Sequence, residues 1–494
     1  MKLDNKRGLL LRLPVLAAVA AVFLLFFSVS TSPLTNEYGG DSAFFMLVGQ
    51  GMTKGMLPYR DFFDMKGPYL FLVEYIGQLI CYGRTGAFLM QWVHLTACLW
   101  IADGIFAMTL GRRRASFLWE LALMIPWLAV AAVTFEGGNL TEEYSLPWLM
   151  LAVYFALRYL RASEASGDWK HQPWIGFYYG FVFGYLALIR VTNAALIGAV
   201  ILTISAGLLV KKEFKNLFVN GLMFILGCAA AFAPMCVYYA GQGLLEEMLL
   251  QVFGFGVRYS AEVGMAQKLA GIPKRLVPTM LLPAIVPAIR RQKDWRIWML
   301  TLSAVGLFLV AAVMGNGYLH YMTLGIPNLV LALALAAEGI AGEKRDMIRG
   351  GALAVLAVLS FALLWPKLQH QIATSTEEIR IGSQLFGSRA ALLEMNDQIP
   401  AEDSVYTYGH ACSAWYARTG RFPGHRYCDW QEHYITLNPE VGDELAAWLG
   451  GENPDWIVIP LHYQFAPQQI AQVVADHYHE YSRNGAYILL KANG

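Results

Sequence analysis

The chain has 494 residues, 56% of them hydrophobic and only 15% charged, with a formal net charge of +1. Soluble domains carry about a quarter charged residues, so this composition excludes an ordinary soluble protein and points to repeated apolar runs of membrane-spanning length. A balance this close to neutral builds no basic face, which excludes a nucleic-acid partner.

The first apolar run, Leu9 to Val29, is longer than the core of a signal peptide. The "FSVSTSP" after it is a weak cleavage site, so it reads as a retained first helix. Ten further apolar segments follow, at 88–110, 117–135, 143–160, 174–190, 193–210, 216–240, 275–289, 296–314, 319–340 and 350–366. They bring the expected crossings to eleven. Segment 68–82 is left out, because Pro68 to Gly83 spans only about 24 Å as a helix. It also carries Glu74, which suits a helix lying in the interface.

Cytoplasmic loops concentrate Lys and Arg. With 68–82 not spanning, one side receives 20 of the 37 basic residues, among them Lys6, Arg7, the "RRR" at 112–114, Lys211, Lys212, Arg290, Arg291, Lys344 and Arg345. If 68–82 spanned, every later loop would change sides and the bias would collapse. The expected topology is a multi-pass protein of the cell membrane with a cytoplasmic N-terminus. The long loop 31–87 and the segments "TFEGGNLTEEYS", "IRVTN" and "GNGYLHY" then lie on the outer face.

From about residue 367 the character changes. Helix-like stretches ("SRAALLEMNDQI", "EVGDELAAWL", "PQQIAQVVADHY") alternate with strand-like ones ("DSVYTYG", "DWIVIPL", "AYILLKA"), as in a small α/β domain. The expected fold is an all-α polytopic membrane domain, 1–366, followed by an extracytoplasmic α/β domain, 367–494. Cys412 and Cys428 lie in the latter and are placed to pair if it is outside the cell, or stand as two thiols. The cysteines at 81, 98, 228 and 236 fall in apolar runs and read as small hydrophobes.

The outer loops hold the candidate chemistry. Asp41 follows Tyr38-Gly39-Gly40, where it is either a proton-accepting carboxylate or the cap of the helix that follows. "PYRDFFDMKGP" gathers Tyr59, Arg60, Asp61, Asp64 and Lys66, either as a salt-bridged turn or as groups for a lipid phosphate and sugar hydroxyls. Glu142 and Glu143 start an apolar segment, where acids also suit a helix N-terminus. Arg190, in "ALIRVTNAAL", is a cation among apolar neighbours and needs an anion, either one of those acids or a phosphate. His320 and Tyr321 sit at another outer rim. The acids at 41, 61, 64, 142 and 143 also make a divalent metal conceivable, though nothing in their spacing demands one.

The order of one helix, a long outer loop with an early acid, an interfacial "KGP" segment, ten further helices and a soluble tail resembles the GT-C glycosyltransferases. The likeness is to the protein O-mannosyltransferase and lipid A aminoarabinose transferase type. "GGDSAFFMLVGQGMTKGMLPYRDFFDMKGP" is similar to the first-loop signature of bacterial family 39-like members, and "LIRVTNAAL" and "HYMTLGIPN" to outer-rim motifs. The resemblance implies inverting transfer of a sugar from a polyprenyl phosphate to a lipid, glycan or protein hydroxyl at the outer leaflet. Asp41 would be the general base. Lys66, Arg190, Arg60 and His320 would hold the donor phosphate, and Tyr59, Asp61, Asp64, Glu142, Glu143 and Tyr321 the sugar or acceptor. Ser42 stands where many relatives carry a second acid. The alternatives are a transporter of lipid-linked sugars, which calls for midplane charges and repeat symmetry, and a non-catalytic membrane scaffold.

Overall fold

The computed structural model describes the chain except residues 1–2, 36–38, 111–116, 262–263, 265, 267–293, 314–317, 340–354, 356–357, 363, 367, 370–377, 382–383, 410–411, 452–453 and 494. Its first nine helices are α1 (Leu3–Phe27), α2 (Gly40–Met52), α3 (Pro68–Ile80), α4 (Arg84–Leu110), α5 (Phe117–Thr134), α6 (Thr141–Ser166), α7 (Pro173–Ala187), α8 (Ala195–Val210) and α9 (Phe214–Gly241). Later come the helices Trp295–Val313 and Ile326–Gly339. Among the described residues, five helical stretches are long and apolar enough to cross a membrane, and nine of the eleven expected segments are helical. Segment 275–289 and about half of 350–366 lie outside the described residues. At 13 residues, α3 is too short to span and packs against α2 and α4.

One expected connection is found, and one expected span is broken near its start. Between α7 and α8, where the sequence separates two apolar segments, the chain opens at Arg190, which is extended, and re-enters through a 3₁₀ turn, Val191–Ala194. The segment at 319 begins as a 3₁₀ turn, Leu319–Gly325, before the helix that carries Pro327 in its first turn, where its missing N–H costs nothing. Hydropathy marks 319–340 as one continuous apolar run. The two turns are what make Arg190, His320 and Tyr321 rim residues.

Helices α7 and α9 make the closest pairing, through a row of glycines. Gly176, Gly180 and Gly184 recur every four residues on one face of α7; a Cβ at Gly180 would stand 1.9 Å from the Phe224 carbonyl oxygen. Gly227 on α9 answers from the other side, 2.1 Å from the Phe177 oxygen. Small residues let backbones touch where lipid removes the hydrophobic drive for association. On its other face α9 leaves Phe214, Phe218, Ile225 and Val237 exposed. Gly180→Ala is expected to lower stability by about 1–3 kcal/mol through overpacking, read as a lower melting temperature in detergent. Gly198→Ala, where an added Cβ meets nothing within 4 Å, should not.

The C-terminal part begins with a hairpin, β1 (Glu378–Ile381) and β2 (Gln384–Ser388). A four-stranded sheet follows, made of β3 (Val405–Thr407), β4 (Trp456–Pro460), β5 (Tyr478–Arg483) and β6 (Tyr487–Ala492) in the order β3-β4-β6-β5. Only the β3–β4 pair is parallel. All five residues of β4 are buried, as a central strand covered on both faces requires. Tyr406, Ile457 and Ile459 pack beneath the helices Glu440–Gly451 and Gln468–His477, while Val405, Trp456, Val458 and Leu489 join the main core.

This part is docked on the loop between α1 and α4. The helix Cys412–Thr419 lies on α2 through Ala414, Ala43 and Met46. The Phe63 N–H donates to the Arg426 carbonyl at 3.0 Å, and the Phe63 ring sits among Phe255, Tyr427 and Tyr434. Cys428 is buried, and the side chain of Cys412 lies outside the described residues, so the expected pairing does too.

Candidate active site

Two backbone hydrogen bonds bring the candidate cations together. Gly67 N–H donates to the Ile189 oxygen at 2.8 Å and Tyr69 N–H to the Leu188 oxygen at 3.3 Å, so the "KGP" turn is stitched to the chain just before Arg190. Only glycine fits there, since a Cβ at Gly67 would lie 1.9 Å from the Leu188 oxygen. On the other side Gly39 is the N-cap of α2, with no side-chain cap bond, and Asp41 lies in the first turn. The carboxylate therefore does not cap the helix. It meets Lys66 instead, Oδ2 to Nζ at 3.7 Å.

These groups line a cavity of about 650 Å³. Lys66 sits between two carboxylates, with Asp64 Oδ1 also at 3.7 Å, and its ammonium lies over the Phe45 ring. Arg190 bonds the buried Glu142 at 3.3 Å and donates to the Tyr321 hydroxyl at 2.9 Å, with its guanidinium over the Tyr321 ring. His320 Nδ1 is 2.7 Å from Glu136 Oε2. Phe44, Val252, Phe253 and Val257 supply the apolar wall. A charged headgroup with a greasy tail fits such a lining.

The charges set one another. Burial alone would raise the Asp41 carboxyl, but Lys66 foremost, then His320 and Arg190, outweigh it and hold Asp41 below the usual carboxylate range. Burial also opposes charge on Lys66, yet Asp41 and Asp64 push its ammonium above the ordinary lysine value. Asp64 goes the other way: burial, helped by the Asp41 charge, raises it against the pull of Lys66. The resting site is thus an ionised base held against a charged lysine.

Of the residues singled out from sequence, Asp41, Asp64, Lys66, Arg190, His320 and Tyr321 all line the cavity. Five others do not line it. Arg60 is half exposed and pairs with its neighbour Asp61 at 2.7 Å, and Asp61 also accepts from Leu57 N–H, so these two form a surface turn away from the cavity. Tyr59 is buried below it, its hydroxyl donating to the Lys66 carbonyl at 2.9 Å, a strut for the loop. Glu143 accepts from Gln91 and from Leu140 N–H at the start of α6. Glu142 stands behind Arg190, touching the site only through it. The five acids considered for a metal therefore do not converge. Among the described residues no group of three or more His, Cys, Asp or Glu is placed to hold an ion.

Sequence reasoning passed over Glu136, Asp429, Trp430, His433 and Tyr434, which also line the cavity. Glu136 carried a readable signal: it precedes Gly137-Gly138, both at positive φ, much as Asp41 follows a glycine pair. The others come from "YCDWQEHY", a dense run of aromatic, acidic and histidine residues in the tail.

Glu74 on α3 has a different fate. It is fully buried, and neither carboxyl oxygen has a hydrogen-bond partner among the described residues. Burial pushes it up to about 8, with the nearby Asn139 offsetting only part. Between about pH 4.5 and 8 the folded chain thus holds a proton the unfolded chain has released, so this residue lowers stability as pH rises through that window. Glu74→Gln should raise the melting temperature at pH 8.5 and change it little at pH 5; equal gains at both would count against a buried neutral acid.

No protein-family model matches the chain, and no curated protein sequence matches it. Solved structures do. ArnT from Cupriavidus metallidurans bound to undecaprenyl phosphate is similar at a TM-score of 0.62 and 13% identity, over 96% of this chain and 97% of that one. The same protein in its apo state gives 0.57 and 14%, over the same shares. An oligosaccharyltransferase from Archaeoglobus fulgidus, covering 96% of this chain and 72% of its own, reaches 0.45 at 12% identity, too low to weigh. The agreement with ArnT runs nearly end to end. This chain is a multi-pass membrane protein with the GT-C fold.

Proposed function

We propose that the protein is a membrane glycosyltransferase that moves a sugar from a polyprenyl phosphate to a hydroxyl acceptor at the outer face of the cell membrane, with inversion. The observation that carries this is the Asp41–Lys66 pair set beside Arg190 and Tyr321 on one wall of a partly apolar cavity. Lys66 and Arg190 would receive the phosphate oxygens, Arg190 in the two-pronged manner its guanidinium allows. Asp41 takes the acceptor's proton as that oxygen bonds to the anomeric carbon. The carbon–oxygen bond to phosphate breaks with its electron pair leaving on the phosphate, where the two cations offset the growing charge. A bound phosphate would draw Lys66 away from Asp41. That relieves the depression of the carboxylate and makes it a stronger base only when donor is present.

ArnT, of the same fold, is known bound to undecaprenyl phosphate, which supports a lipid-phosphate ligand here. Residues 1–366 are proposed as the membrane catalytic domain and 367–494 as an extracytoplasmic domain that closes over it. Purified protein given a radiolabelled polyprenyl-phosphate sugar and a panel of lipid, glycan and peptide hydroxyl acceptors should transfer label. Label that only crosses the bilayer of a proteoliposome, without changing carrier, would support a transporter instead.

Topology has its own test. Cysteines introduced at positions 36, 316 and 430, in a background without native exposed thiols, should react with an impermeant thiol reagent applied from outside. Cysteines at 113, 213 and 345 should not. Outside labelling at 113 would mean that 68–82 spans the membrane.

A further inference from the structure

The cavity has two kinds of wall. Asp41, Lys66 and Arg190 belong to the membrane helices and the first loop, and they account for a phosphate and a base. Facing them is a wall from the C-terminal part, made of Asp429, Trp430, His433 and Tyr434, which the phosphate chemistry leaves unused. Asp429 is 3% exposed. Its carboxylate accepts from the Ser413 hydroxyl through one oxygen and from the Trp430 N–H, at 2.9 Å, through the other. Each oxygen keeps a lone pair to offer. Burial foremost, with the Asp41 charge adding to it, pushes the Asp429 carboxyl up to about 7, so it is an ionised acceptor above that pH, and both acids line the same cavity.

Trp430 follows in the left-handed region, φ 55° and ψ 31°. A bulky side chain there is strained, a condition that persists only where the surroundings fix it and that clusters at ligand sites. The surroundings do fix it. Gln431 donates to the Tyr406 hydroxyl and to the Thr407 carbonyl, and accepts from Gly409 N–H, locking the turn to β3. Tyr434 is held by the Phe63 ring at 4.7 Å. A rigid carboxylate with an indole beside it is a wall suited to a pyranose, whose hydroxyls donate to the acid and whose C–H face lies on the ring.

We propose that Asp429 and Trp430 form the recognition wall for the transferred sugar, Asp429 accepting hydrogen bonds from its ring hydroxyls, so that the C-terminal part selects which sugar is moved. This rests on the glycosyltransferase reading above. The sugar is tied to the phosphate by a single oxygen, so with the phosphate on Lys66 and Arg190 the ring is confined to the space these residues enclose. An acceptor has no such tether.

The test separates sugar from phosphate. The affinity of the full-length protein for bare undecaprenyl phosphate is compared with its affinity for the same lipid phosphate carrying glucose, mannose, galactose or arabinose. In the wild type one or more of the sugar-bearing lipids should bind tighter than the bare one. Asp429→Asn should shrink that gap by about 10–100-fold, the worth of hydrogen bonds to a charged group, and leave the bare lipid unchanged. Trp430→Gly, which relieves the backbone strain, should shrink it as well, with its melting temperature measured alongside because the indole also packs beside the Phe63 cluster. An unchanged gap in folded Asp429→Asn overturns the proposal while the lipid-phosphate reading stands, and so does a loss of acceptor affinity alone. A wild type that binds no undecaprenyl phosphate overturns that reading and this proposal with it.

Discussion

Asp41→Asn is expected to lower sugar transfer by about 10²–10⁴-fold, the contribution of a positioned base, with expression, melting temperature and donor affinity near wild type. The structure supplies the reason for the last part. Asp41 is not the cap of α2, and its one close ionic partner is Lys66. The isosteric amide leaves Lys66 paired with Asp64 and makes it more available to a phosphate. Donor affinity should therefore hold or rise slightly as turnover falls. Near-normal turnover by the folded variant would remove Asp41 from catalysis, whatever its place in the cavity.

The second large effect concerns Arg190, for which sequence left two partners open, a carboxylate or a phosphate. The structure gives it a buried acid, Glu142, and still turns it toward the cavity through Tyr321. A single Arg190→Met mixes two losses. Glu142 is 1% exposed, and stripping a buried carboxylate of its cation costs about 3–5 kcal/mol, so the single variant should melt early. The double variant Arg190→Met/Glu142→Gln removes both charges and should recover most of that stability. If Arg190 also holds phosphate, the double variant stays unable to bind donor or turn over. Full recovery of donor affinity would reduce Arg190 to a structural partner of Glu142. Arg190→Lys keeps the charge but not the fork, and is expected to fall between wild type and the double variant in donor affinity.

The membrane architecture was legible because hydrocarbon imposes a length and a composition on every helix that crosses it. Nine expected segments lie on helices for that reason. The connection at Arg190 was legible between two apolar segments, but the 3₁₀ start at Leu319 was less visible, since Leu, Met and Gly there look like a continued apolar run. Charged residues near the rims were readable as a group, but sequence has no measure of which way a loop turns. Arg60 and Lys66 are six positions apart in one motif, yet one faces solvent and the other the cavity. The difference comes from a tight turn at Tyr59: its positive φ precedes Arg60, its N–H donates to the Phe62 carbonyl at 2.8 Å, and its hydroxyl holds the Lys66 carbonyl. Asp429 and its neighbours were harder still, because their approach to Asp41 depends on docking two parts of the chain that are remote in sequence.

That docking has a consequence for biosynthesis. Ala43 and Ala414 touch although about 370 residues separate them, and Phe63 reaches its hydrogen-bond partner at Arg426 across a similar interval. Chains emerge from the ribosome N-terminus first, and contacts between distant segments close last. The early acid and lysine are therefore made long before the wall that faces them exists. A nascent or truncated chain holds only half a chamber, open to water on the side where the tail belongs. Such a chain has the charged groups of the cavity without the enclosure that the tail supplies.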